Sequence, residues 1–371
     1  MNPFKYGQIV QDKDFCQRPV LIKRLSGCIA KGQNVYIQGE RRIGKTSLIC
    51  ECVRQQKKHG LIYIDILEVK TTDDFIKRIV AAIVSMEQKC GMVERILKKL
   101  AYIRPTISVD PMTGMPTVGF DGAIPFSQDS IHGVLDLIYS YQTKQRSIVV
   151  VFDEFQDILN LKDAKEVLAV LRSKVQFHSD VPYLFSGSVR NKMIEIFSDP
   201  DSPFFKSAIS LSVGALDKGN FQEFLAKKFK NGKRKVTPEM WDKVFEICSD
   251  VPGDIQQFCD ALWDISSEEE QITIEHLPSA LEAIFAHEFK GYETTLKIIS
   301  GQQLKVLAGL ARMGGKAPTS AKFARGLGGI AVSSIKKAIE RLMDLKIVFY
   351  IEEEYRFTNP FFRAWLLYKK L

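Results

Sequence analysis

The 371 residues are 45% hydrophobic and 26% charged, a balance that predicts a globular protein with room for two or three domains and excludes a disordered chain. No apolar run approaches the roughly 18 to 20 residues of a membrane span, and Met1 to Cys16 carries charges where a signal peptide needs an apolar stretch, so a cytoplasmic chain without membrane contact is expected. The net charge of +8 lies wholly in residues 301–371, with thirteen Lys and Arg against five Asp and Glu; such a confined excess suits an acidic partner such as nucleic acid, or simply a solvated surface.

In chain order, the first strand is expected at Val35 to Gln38. It runs into Gly39, Glu40, Arg41, Arg42, Ile43, Gly44, Lys45 and Thr46, followed by Ser47. This spacing, G-x-x-x-x-G-K-T, is a phosphate-binding loop: its glycines let successive backbone N–H groups face phosphate oxygens. Lys45 is expected to reach the terminal phosphates and Thr46 to give a hydroxyl to magnesium. A helix opening at Lys45 would set its positive end beneath the anion. A second strand is expected at Leu61 to Ile66, then an insertion over about 86–130 whose Ile107 to Phe120 reads as a hairpin around Asp110-Pro111-Met112-Thr113-Gly114.

Ile148 to Asp153 is an apolar strand ending in Asp153-Glu154. Behind a phosphate loop, such a pair predicts Asp153 on magnesium through a water and Glu154 as the base that activates water against the γ-phosphate. Standing alone it would read as a charged turn. The next strand, Tyr183 to Gly187, leads to Ser188 and Arg190, read as contacts to the γ-phosphate, with a surface arginine as the plainer alternative. A fifth strand is expected at Ala208 to Leu211. Short apolar strands alternating with amphipathic stretches predict a parallel α/β sheet.

From Asp217 to about His287 the spacing becomes helical, with Phe221, Phe224, Leu225 and Phe229 on one face. Lys227-Lys228-Phe229-Lys230 and Lys233-Arg234-Lys235 read as solvated surface. Three short helices then follow at about 302–313, 320–327 and 332–345. The runs 347–351 and 355–358 flank Glu352-Glu353-Glu354 as a hairpin, which completes a winged-helix plan. Ser333, Ser334, Lys336, Lys337 and Arg341 on the third helix would face DNA; docking of a protein is the equal alternative. Seven cysteines with no C-x-x-C pair and five scattered histidines read as reduced thiols without a zinc site.

Together these motifs resemble the archaeal-type ATPase family within the STAND branch of P-loop NTPases, relatives of the AAA+ proteins. The resemblance implies an ASCE-type sheet over residues 1–213, a helical lid domain over 214–297 and a winged-helix domain over 298–371. It implies that Phe15 and Arg18 form an upstream box beside adenine, along with Leu21 and Leu25, and that Pro252 packs near adenine from the lid. Gln17 and Asp250 stand where the family carries glycine, and Gly253 follows the proline instead. The expected function is a slow Mg-dependent ATPase acting as a nucleotide-controlled switch with a winged-helix output, in contact with ATP or ADP and with DNA, a protein partner or a second copy. A DNA-binding regulator in which nucleotide is mainly structural is the alternative.

Overall fold

The computed structural model describes residues 1–86, 105–109, 116–120, 128–143, 147–188 and 190–369. Cys90, the turn at 110–115 and Val189 lie outside the described residues. The packing divides the chain into two compact units, Ile9–Gly214 and Met1–Gln8 with Ala215–Leu371.

The first unit holds α1 (Pro19–Ala30), β1 (Val35–Gln38), α2 (Lys45–Gln56), β2 (His59–Asp65), α3 (Thr72–Met86), β3 (Pro105–Val109), β4 (Pro116–Phe120), α4 (Gln128–Ser140), β5 (Ser147–Asp153), α5 (Ala164–Phe177), β6 (Tyr183–Gly187), α6 (Arg190–Ser198) and β7 (Ile209–Ser212). Five strands form one parallel sheet in the order β2-β5-β6-β1-β7. Each of the five strands expected from the sequence is in it.

Strand alternation explains how this sheet is buried on both sides. Val150, Phe152, Tyr183 and Phe185 join a core with Phe75 and Ile79 of α3, Leu135 of α4 and Leu171 of α5. The intervening Val149, Val151 and Leu184 join a second core with Leu25 and Ile29 of α1 and Leu48, Ile49 and Cys52 of α2. The expected hairpin is present as an antiparallel β3–β4 pair, Pro105 opposite Phe120.

The second unit continues with α7 (Lys218–Asn231), β8 (Lys235–Val236), α8 (Pro238–Cys248), α9 (Pro252–Ile265), β9 (Gln271–Ile272), α10 (Leu277–Ile298), α11 (Gly301–Met313), α12 (Ala321–Gly326), α13 (Val332–Asp344), β10 (Val348–Ile351), β11 (Glu354–Phe357) and α14 (Pro360–Tyr368). Its helix starts follow local chemistry. Asp217, Thr237, Ser300, Ser320 and Asn359 each accept a first-turn backbone N–H, and Pro238 and Pro360 occupy first-turn positions where a missing N–H costs nothing. The β10–β11 hairpin turns at Glu352 and Glu353, both at positive φ (48° and 62°), the conformation a two-residue hairpin turn requires.

Lys228 corrects the reading of its cluster as solvated: it is buried, its Nζ donates to the Pro3 carbonyl at 3.0 Å, and it lies 5.0 Å from the centre of the Phe224 ring. Phe4 packs beside it, 4.6 Å from Phe229 between ring centres. Asn2 donates to Asp260 and Asp264, both at 2.8 Å. No helix among the described residues is long and apolar enough to cross a membrane.

Candidate nucleotide-binding site

β1 is buried along its whole length and ends at Gly39, where a Cβ would lie 2.4 Å from the Val213 carbonyl; only glycine lets the chain turn there. Arg41 and Arg42 stand exposed at the tip, Arg42 with φ of 61°, and Ile43 is buried beneath. Gly44 then adopts a left-handed conformation (φ 94°) as the N-cap of α2 and places no side chain over the helix end. The first-turn N–H groups of α2 therefore have no capping side chain and point toward the loop, where an anion is favoured by both hydrogen bonding and the helix dipole.

Lys45 is 6% exposed and folds back over this loop, its Nζ donating to the carbonyls of Gly39 (3.0 Å) and Glu40 (2.9 Å). Burial holds its pKa below the ordinary lysine value, opposed by the charges of Glu154 and Asp153. Ser47, one residue past Thr46, is buried and its Oγ accepts the Val10 amide at 3.1 Å.

The sheet order places β6 between β1 and β5, so the ends of these three strands meet at the loop. Asp153, at the end of β5, accepts from the Thr46 hydroxyl through Oδ2 at 2.6 Å. The same oxygen accepts from the Tyr63 hydroxyl of β2, also at 2.6 Å. The Glu154 amide donates to Asp153 Oδ1 at 3.0 Å, so among the described residues all three hydrogen bonds to this carboxylate come from donors. Glu154 turns the chain through a left-handed residue (φ 52°), and its Oε2 accepts from Ser188 Oγ beyond β6 at 2.7 Å. Thr46 and Asp153 supply hard oxygen donors at one point, the set that suits magnesium held by few protein ligands together with phosphate oxygens.

Of the remaining expected residues, Arg18 is buried and donates to the carbonyls of Ile43 (2.8 Å) and Gly214 (2.7 Å), tying the phosphate loop to the end of this unit. Phe15 is buried in the core around Leu25, Ile29 and Ile43. Arg190 opens α6, and its side chain lies outside the described residues. Pro252 opens α9 in the second unit and is buried there. Ser333, Lys336, Lys337 and Arg341 are exposed on α13, whose Ile335, Ala338, Ile339 and Leu342 face the core.

Two residues of the site escaped sequence reasoning. Tyr63 was visible only as a hydroxyl in an apolar strand, on the same strand face as Asp65. Gln156, which donates to Glu154 Oε2 at 2.7 Å, sits in the short 3-10 turn Phe155–Asn160, where one polar residue draws no notice.

Comparison with known proteins finds likenesses in fold over most of the chain. A probable winged helix domain matches residues 290–368. A Walker-type ATPase of Pyrococcus abyssi is similar in structure, with a TM-score of 0.65 at 16% identity over 96% of this chain and 97% of that one. The ORC1 protein of Aeropyrum pernix, solved in complex with DNA, gives 0.54 at 13% identity over 96% and 94%. The ORC2 protein of the same organism, solved as ADPNP-ADP complexes, gives 0.53 at 14% identity over 99% of both chains. No match was found among curated proteins. The ATPase domain found predominantly in Archaea matches residues 15–258. That match takes in the phosphate loop, both carboxylates and every strand of the sheet, and the chain belongs to this family of archaeal-type ATPase domains, with a winged helix domain at its C-terminal end.

Proposed function

We propose that the protein binds ATP with magnesium, hydrolyses it slowly and acts as a nucleotide-controlled switch whose output is the winged helix. The observation that carries this reading is the 2.6 Å bond between Thr46 of the phosphate loop and Asp153 at the end of β5, which brings the expected metal-binding groups together 107 residues apart in sequence. Bound magnesium supplies charge neutralisation at the β- and γ-phosphates. Lys45 draws the terminal phosphates toward the N-terminus of α2. Glu154 takes the proton of the attacking water as the water oxygen bonds to the γ-phosphorus and the bond to the ADP oxygen breaks. Ser188 steadies that carboxylate. Phe15 and Arg18 shape the adenine side of the loop, Arg190 adds positive charge at the γ-phosphate, and the helical and winged segments at 214–297 and 298–371 read out the result. Adenine nucleotides on the Aeropyrum ORC2 protein support the choice of ligand.

The test is ATP turnover by Glu154→Gln. Loss of a general base should lower kcat about 10²- to 10⁴-fold with ATP affinity retained. Turnover at the wild-type rate would remove Glu154 from the mechanism.

A second reading, DNA binding with nucleotide in a mainly structural role, draws on the exposed Ser333, Lys336, Lys337 and Arg341 of α13 and on the ORC1 protein solved with DNA. Turnover that is unchanged by DNA, alongside salt-sensitive DNA binding, would favour it.

A further inference from the structure

Gln156 is 2% exposed, held in its 3-10 turn by Phe155 and Ile158, both fully buried. Its Nε2 lies 2.7 Å from Glu154 Oε2 and 3.3 Å from Asp157 Oδ1. Two carboxylate neighbours fix the orientation of the amide, because only its NH₂ end can donate to them. The carbonyl end, Oε1, is buried and accepts no hydrogen bond among the described residues. An apolar side chain of the same size would fill this space without that cost. Space for the amide also depends on Gly187 at the end of β6, where a Cβ would come within 2.6 Å of Gln156 Oε1.

Both side-chain donors to Glu154, Ser188 Oγ and Gln156 Nε2, converge on Oε2, and Oε1 accepts no hydrogen bond among the described residues. Resting on the reading of Glu154 as the base, we propose that Gln156 is a positioning residue: with Ser188 it holds the Glu154 carboxylate by one oxygen and leaves the other to receive the proton of the attacking water. Gln156 touches neither water nor nucleotide in this role. It acts by restricting the Glu154 side chain to one orientation.

The experiment uses the full chain with Mg-ATP. Gln156→Leu keeps the volume and removes the donor; Gln156→Glu keeps the shape and sets a second carboxylate beside the first. For Gln156→Leu, kcat should fall roughly tenfold, about the effect of one hydrogen bond to a charged group, with the Kd for a fluorescent ATP analogue within about twofold of wild type. In single-turnover measurements, adding Gln156→Leu to Glu154→Gln should change the residual rate by less than about twofold, because the carboxylate that Gln156 positions is gone. A merely structural role lowers thermal stability and lowers the rate equally with Glu154 and with Gln at that position. An equal fall in both backgrounds, or no fall in either, with Glu154→Gln itself slow, overturns the positioning role and leaves Glu154 as the base. Wild-type turnover by Glu154→Gln overturns the reading underneath, and the positioning role falls with it. Should Gln156→Leu fail to fold, the same comparison with Gln156→Glu decides alone.

Discussion

At the scale of single residues, the site is a set of short polar contacts shielded by burial. Lys45 is held against two loop carbonyls, so its ammonium is poised over the place where phosphate oxygens would replace them. Lys45→Ala should weaken ATP binding by about 1.5–3 kcal/mol, roughly ten- to a hundredfold in Kd, the cost of removing a hydrogen bond to a charged group. Titration with a fluorescent ATP analogue measures it, and unchanged affinity would count against the phosphate loop as the binding element. Tyr63 shows how burial fixes a role: burial, then the charge of Asp153 and the bond to it, pushes the phenol pKa well above its ordinary value. Its hydroxyl therefore stays a donor to Asp153 throughout the working pH range. Cys50, one turn along α2 from Thr46, is pushed up to about 11 by burial with the Asp153 charge adding, and is a poor nucleophile at neutral pH.

At the scale of elements, α2 carries both the phosphate end and a structural anchor. Glu51 is fully buried and accepts from Arg54 Nε and Nη2 (2.8 Å each), Gln55 (2.8 Å) and the Asp12 amide (2.9 Å), so the segment before α1 is tied to the same helix as Lys45 and Thr46. The bond from Arg54, helped by the Asp12 amide and Gln55 and opposed by burial, lowers the Glu51 carboxyl from 4.5 to about 2. A depressed carboxyl pKa contributes stability that is complete above the unfolded value and disappears as pH falls through the folded one. The wild-type protein should therefore lose up to roughly 3 kcal/mol from this group between about pH 4.5 and pH 2. Glu51→Gln should be less stable at pH 7 and lack this part of the acid dependence. Urea unfolding of both proteins at pH 7, 4 and 3 measures the difference; parallel curves would remove Glu51 as an acid-sensitive anchor.

At the scale of the whole molecule, charge is segregated along the chain: residues 1–300 are balanced and 301–371 carry the full +8. On α13 that charge takes a defined form, with Lys336, Lys337 and Arg341 exposed opposite the buried Ile335, Ile339 and Leu342. If the winged helix meets DNA through this face, Lys336→Ala with Lys337→Ala should weaken duplex binding and reduce the slope of log Kd against log salt by about one for each lysine that neutralises a phosphate. A gel shift repeated across salt concentrations reads both. An unchanged slope would turn the face toward a protein partner.

What the sequence determined by itself was local. The phosphate loop is contiguous, the strands alternate over a few residues, and Asp217, Thr237, Ser300, Ser320 and Asn359 cap helices through bonds to residues two or three positions away, so neighbours in the chain carry the information. Only the tertiary structure decided which of these pieces meet. The insertion of β6 between β1 and β5 brings Ser188 to Glu154. The register of β2 on β5 carries Tyr63 to Asp153 across 90 positions, and the burial of Arg18 joins Ile43 to Gly214. Phe4 beside Phe229 is of the same kind. Such contacts are selected by packing between distant segments, where a buried polar group must find whatever partner the fold sets beside it, and no spacing within the chain encodes that choice.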